Sequence, residues 1–131
     1  MIGLDTNILV RFLVQDHAAQ ASQVDALMQS LSPDSPAFVS SAVLAELAWV
    51  LRRYGIDKAQ FSDFLNQLLN SPEIVIENEA ALRQALSRFA LDGGDFADRL
   101  IERICSVAGC SRTLTFDVKA AKASGMELLE S

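Results

Sequence analysis

Four acidic residues stand in settings where acids are uncommon: Asp5, Glu46, Asp98 and Asp117. Asp5 ends the apolar run Met1-Ile2-Gly3-Leu4, and Glu46 is the only charge in the apolar stretch 42–51. Asp98 sits beside the apolar face of segment 95–109, and Asp117 closes Thr113-Leu114-Thr115-Phe116. An isolated carboxylate is costly to bury unless it is paired, protonated or bound to a metal. Four of them at element ends and on helices point to one convergent site for a hard divalent cation, which prefers oxygen ligands. A zinc signature is missing: the one histidine, His17, and the two cysteines, Cys105 and Cys110, lack the required spacing. The cysteines are expected as buried reduced thiols, and His17 as a solvent-facing helix start.

The elements that must position these acids follow from periodicity and breakers. Residues 1–4 read as a short buried strand, and 6–14 switch to helical spacing. In 18–31, Ala21, Val24, Leu27, Met28 and Leu31 recur at threes and fours, the mark of a helix. Ser32-Pro33-Asp34-Ser35-Pro36 is a loop. A strand over 37–39 leads to Ser40 as an N-cap and a helix over 41–54 that stops at Gly55. Further helices are predicted over 58–69, 78–91, 96–108 and 118–123, and strands over 74–76, 113–116 and 126–129. Gly93-Gly94 and Gly109 bracket the 96–108 helix.

Strands alternating with helices predict an α/β fold with a mainly parallel sheet covered on both faces. Sites in such sheets form at the carboxyl ends of strands. Asp5 and Asp117 both fall there, and Glu46 and Asp98 would enter from flanking helices. At about 100° per residue, Ala97, Leu100, Ile101, Ile104, Cys105 and Ala108 share one arc of the 96–108 helix. Asp98 lies at its edge, with Asp95 and Glu102 further out and Arg99 and Arg103 towards solvent. Asp95 is either a supporting residue or only an acid favoured by the helix dipole. Glu102 either supports the site or pairs with Arg99 or Arg103 on the surface. Glu46 has Arg53 as its alternative partner.

The 131 residues suit one domain, 1–131, with one core. No apolar run reaches the ~18–20 residues of a membrane span, and no secretory signal is visible, so a cytoplasmic protein is expected. The net charge of −6 speaks against a nucleic-acid binder. Setting the four acids aside leaves 13 acidic against 11 basic residues, a nearly neutral balance that neither supports nor excludes RNA.

The acids and their neighbours, in LDTNILVRFL at 4–13, SSAVLAELAWVLRRYG at 40–55, DFADRLIERICSVAGC at 95–110 and TLTFDVKAAKASGMELL at 113–129, resemble the PIN-domain family, and within it the VapC toxins of bacterial toxin–antitoxin pairs. The resemblance spans essentially the whole chain in order. It implies a three-layer α/β/α sandwich around a mainly parallel sheet. It also implies an endoribonuclease dependent on Mg²⁺ or Mn²⁺ and cutting structured RNA such as transfer or ribosomal RNA, a cognate VapB-type antitoxin, and a homodimer. Asp5, Glu46, Asp98 and Asp117 match the family's acidic quartet as catalytic and metal-binding residues. Thr6, Asn7 and Thr115 match its supporting polar positions, and Gly93-Gly94 with Asp95-Phe96-Ala97 fits its pattern. Arg11, Arg52, Arg53, Arg99, Arg103, Arg112, Lys119 and Lys122 are candidates for RNA phosphates, Arg99 and Arg103 standing nearest the acidic flank.

Phosphodiester hydrolysis needs a water nucleophile and charge stabilisation at the phosphoryl and leaving oxygens, and a divalent cation supplies both. The apolar residues Leu9, Phe12, Leu13, Leu27, Leu47, Trp49, Leu51, Phe61, Phe64 and Leu65 exceed what one small core obviously absorbs, leaving a self-association surface or an antitoxin groove as uses. Three rivals stand beside this reading. A phosphohydrolase with Asp5 as nucleophile wants a second Asp at position 7, where Asn7 stands. A catalytically silent PIN binding module would have lost the metal site. A housekeeping PIN ribonuclease would process RNA without an antitoxin.

Overall fold

Most helices begin on a residue whose side chain accepts from an orphaned amide, as the computed structural model shows at Asp5, His17, Ser40, Asp57, Asp95 and Asp117. It describes residues 1–92 and 94–129. The chain divides into two compact units, Met1–Glu77 and Asn78–Ser131.

The first unit runs β1 (Ile2–Gly3), α1 (Thr6–Leu13), α2 (Ala18–Ser30), β2 (Ala37–Val39), α3 (Ser41–Arg53), α4 (Lys58–Leu69) and β3 (Ile74–Ile76). Its sheet has the order β1-β2-β3 and is parallel throughout, with Ile2 opposite Ala37 and Val39 opposite Ile76. Parallel neighbours need crossovers, and the helix pairs α1–α2 and α3–α4 supply them. Caps fix the helix starts. Ser40 Oγ accepts from the Val43 amide, and His17 Nδ1 accepts from the Gln20 amide. Asp57 and Gln60 form a reciprocal capping box. Gly55, at φ +78°, ends α3 in the left-handed conformation.

Leu9, Val10, Val39, Leu44, Leu47, Leu51, Phe64 and Leu65 form the centre of this unit's core. Most of the apparent apolar surplus is therefore interior: Leu9, Leu47, Leu51, Phe61, Phe64 and Leu65 are all buried, and Trp49 is the clear exception at 59 % exposed. Residues 1–4 are not the buried strand the sequence predicts. Met1 and Ile2 are exposed and only Leu4 is buried, because β1 is an edge strand whose partner among the described residues is β2.

The second unit runs α5 (Glu79–Asp92), α6 (Phe96–Val107), β4 (Leu114–Thr115), α7 (Val118–Ala123) and β5 (Glu127–Leu128). α5 packs along α6, with Phe89 meeting Phe96 edge to face at 5.7 Å. β4 and β5 pair in parallel with α7 as their crossover. Asn78 opens α5 at φ +55°, a conformation Asn tolerates better than most residues. Gly93 of the expected Gly93-Gly94 break lies outside the described residues.

The buried stripe of α6 is rotated from its expected arc. Phe96, Arg99, Leu100 and Glu102 are buried, while Ile101 is 48 % exposed and Ala108 is exposed. Cys105 is half-buried and Cys110 is exposed, so Cys110 is a surface thiol rather than a core residue.

Candidate functional site

Asp5 joins β1 to α1. Its backbone is extended, and its Oδ1 accepts from the Thr6 amide at 2.8 Å, so it is the N-cap of α1. A carboxylate has about four lone-pair sites, so the cap leaves it capacity for a ligand. Thr6 beside it is 2 % exposed, and its Oγ1 has no hydrogen-bond partner among the described residues. Asn7 is exposed and lines a cavity of about 260 Å³ between α1 and α2, together with Arg11 and Gln20.

Glu46 lies in the second turn of α3, the helix that packs on α1. It is exposed, as is Asp5. The apolar neighbours that make Glu46 look buried in the sequence point elsewhere, since Leu44, Leu47 and Leu51 form the inward stripe. Its expected alternative partner, Arg53, stacks its guanidinium on the Trp49 ring, 5.0 Å from the centroid. A carboxylate that the sequence does not single out, Glu77, anchors this helix. Its Oε1 accepts from the Ser41 amide at 2.9 Å. Its position directly after the β-branched run Ile74-Val75-Ile76, at a strand's carboxyl end, was the available signal.

In the second unit, Asp95 is the N-cap of α6, and its Oδ1 accepts from the Asp98 amide at 2.9 Å. Asp98 is half-buried. Burial, then the charges of Asp95 and Asp117, hold its carboxyl above the usual range. Asp117 is exposed and caps α7 through bonds from the Lys119 and Ala120 amides. Its own amide donates to Thr115 Oγ1 at 3.0 Å. Asp95 and Asp117 therefore stand close enough to Asp98 for their charges to oppose its ionisation.

Glu102 and two arginines depart from expectation. Glu102 is buried, 9 % exposed, and bound by Arg103 Nη2 at 2.6 Å and by Arg103 Nε. The pairing with Arg103 is one of those expected, but it is buried rather than on the surface, and the hydrogen bonds of Glu102 are committed. Arg103 also reaches Gln84. Arg99 is 5 % exposed rather than solvent-facing. Buried or tied in this way, neither arginine is available to a phosphate. Arg11 is likewise engaged, by Asp16 and Gln20, each at 2.8 Å. Arg52, Lys119 and Lys122 remain exposed.

A PIN domain family model matches residues 2–126. The chain belongs to the PIN domain family. No curated protein matches it in sequence. PIN domains are generally nucleases and typically use divalent metal ions, and the mixed α/β architecture with parallel strands agrees with the PIN fold.

The donor chemistry of this PIN domain fits such an ion. The candidate ligands are hard carboxylate oxygens, and the Thr6 hydroxyl is an orphaned buried polar atom next to one of them. Leaving such a group unsatisfied costs about 1–3 kcal/mol. The mutual repulsion at Asp98 is the kind a cation relieves. Among the described residues, no three carboxylate, imidazole or thiol groups come close enough together to hold an ion as they stand.

Proposed function

We propose that this PIN domain is a metal-dependent endoribonuclease of the cytoplasm that hydrolyses phosphodiester bonds in structured RNA, such as transfer or ribosomal RNA. We assign it the role of toxin in a type II pair, restraining translation until a VapB-type antitoxin silences it. The observation that carries the reading is the family match over 2–126 in a chain that retains carboxylates at 5, 46, 98 and 117. Two of them lie in each unit, at helix caps or on helices.

Mg²⁺ or Mn²⁺, when bound, neutralises charge on the phosphoryl oxygens and lowers the pKa of water. Asp5 and Asp98 are assigned as direct ligands. Glu46 and Asp117 complete the acidic set by ligating directly, by holding water or by positioning the water that attacks phosphorus. Thr6, Asn7, Thr115 and Asp95 support them. The Thr115 hydroxyl and the Asp95 carboxylate already hold the backbone amides of Asp117 and Asp98, a role that metal sites generally require of neighbouring groups. Lys119 and Lys122 are assigned to RNA phosphates, supported by their exposure on the helix that Asp117 caps.

Two surfaces of the first unit support the partner assignments. A cleft of about 810 Å³ has Phe12, Met28, Leu68 and Ile74 in its lining, with Asp25, Asp63 and Glu73 among them. Its mixed apolar and acidic character suits an amphipathic basic segment of an antitoxin. Trp49, with Arg53 stacked on it and exposed Tyr54 nearby in sequence, is the composition typical of interface centres and supports a homodimer.

Induction of the chain in growing bacteria tests the toxin assignment. Arrest of growth with the native chain and normal growth with the Asp98→Asn form is the expected result. Normal growth with both, at equal expression, would contradict it.

A further inference from the structure

α6 carries Asp98, and the next residue, Arg99, is one of the least exposed charged residues in the chain. A buried guanidinium is retained only where it is paired and packed. Arg99 Nη2 lies 4.0 Å from Asp92 at the end of α5. Its positive charge also helps hold Glu102 below the usual carboxylate range, after the larger effect of Arg103.

The packing around Arg99 is close. A Cβ added to Gly94 would lie 3.4 Å from Arg99 Nε, 3.2 Å from the Ala123 carbonyl oxygen and 3.3 Å from Ala123 Cβ. Gly94, in the left-handed region at φ +79°, is thus wedged between Arg99 and the last residue of α7. One turn further along α6, Glu102 Oε1 lies 3.4 Å from the corresponding position on Gly125, just beyond α7. The same face of α6 therefore meets the carboxyl end of α7 through two glycine turns.

Gly94 leads directly into Asp95, the cap that holds the Asp98 amide, and α7 begins at Asp117. We propose that Arg99 is a positioning residue for the acidic centre. By clamping the Gly94 turn between α6 and the end of α7, it fixes the separation of Asp98 and Asp117. This rests on the reading that these carboxylates bind a divalent cation. The flat guanidinium faces Asp92 through Nη2 while its Nε edge packs against the Gly94 turn, a shape that lysine, a point charge on a flexible stem, does not reproduce.

Mn²⁺ titration of the metal-free full chain by calorimetry tests the assignment, using the native chain, Arg99→Gln, Arg99→Lys and the core variant Leu82→Val. The last is a control for lost stability, and circular dichroism and thermal melts accompany each variant. Arg99→Gln should weaken Mn²⁺ binding by about ten- to a hundred-fold, the range for groups that orient metal ligands. Arg99→Lys should fall between Arg99→Gln and native, and Leu82→Val should bind like native. Binding by Arg99→Gln equal to native, or weakened no more than in Leu82→Val, would overturn the role of Arg99 alone. Absence of Mn²⁺ binding by the native chain would overturn this proposal together with the functional reading. If Arg99→Gln fails to fold, Arg99→Lys decides: folded with native affinity overturns the proposal, and folded with weakened affinity sustains it.

Discussion

The Asp98 amide donates to the Asp95 carboxylate at 2.9 Å, so the residue that starts α6 also fixes the first turn that carries the half-buried acid. Asp95 is both a cap and a source of the charge that opposes ionisation of Asp98. A cap alone gains from this arrangement, because the helix dipole favours an acid there. A second acid one turn on and a third at Asp117 add repulsion that folding by itself does not require.

That repulsion has a measurable sign. A carboxyl held above its ordinary value binds its proton more tightly in the folded state than in the unfolded one. Its contribution to stability is complete below the unfolded value and is lost as pH rises through the folded one. Asp98→Asn should therefore raise the melting temperature of the metal-free chain at neutral pH, and the gain should shrink as pH falls towards 3.8, the ordinary Asp value. Thermal melts across pH with a chelator present check this; a lowered melting temperature at neutral pH would count against it.

Asp5→Asn and Asp117→Asn should separate capping from chemistry. Asn caps about as well as Asp, so each variant should keep its stability to within about 0.5 kcal/mol. Each should lose most Mn²⁺ binding. Urea melts and calorimetric titration give the two readouts; a variant that binds Mn²⁺ like the native chain would remove that residue from the site.

Glu102→Gln should destabilise the chain by about 2 kcal/mol, the scale of a hydrogen bond to a charged group. The Arg103 hydrogen bonds hold the Glu102 carboxyl below the usual range, and burial only partly opposes them. The stabilisation is thus present at neutral pH and lost as pH falls through the lowered value. Equal stability of native and variant at pH 7 in urea melts would refute this.

Gly94→Ala should cost about 1–2 kcal/mol from its left-handed backbone, before any displacement of Ala123. A melt unchanged from native would show that the turn is slack.

Much of the architecture is legible in the sequence, because punctuation residues act locally. Ser40, Gly55 and Gly109 mark helix ends by satisfying or releasing backbone groups, and those effects need no tertiary context. The candidate acids are legible for the same reason: Asp5, Asp95 and Asp117 fall where a strand or loop gives way to a helix.

Burial was harder to read. Glu46 lies among apolar residues in sequence, yet neighbours in sequence point to different faces of a helix. Arg99 reads as solvent-facing, and a Glu102 pair as a surface one, because both lie off the apolar arc of one helix. Here Asp92, Arg103 and Gln84 supply partners from α5 and α6, and pairing makes their burial tolerable. Such partners are a property of packing, which periodicity along one helix does not carry. The role of Glu77 is not legible along the chain because it holds the start of α3, 36 residues earlier.

The most direct test is incubation of the purified chain with total cellular RNA and Mn²⁺, followed by mapping of new RNA ends, with EDTA and Asp5→Asn as controls. Cuts at one or a few discrete positions that vanish in both controls are the predicted result. Cuts that persist in EDTA or with Asp5→Asn, or no cuts in RNA from the source cell while Mn²⁺ is bound, would contradict the metal-dependent ribonuclease.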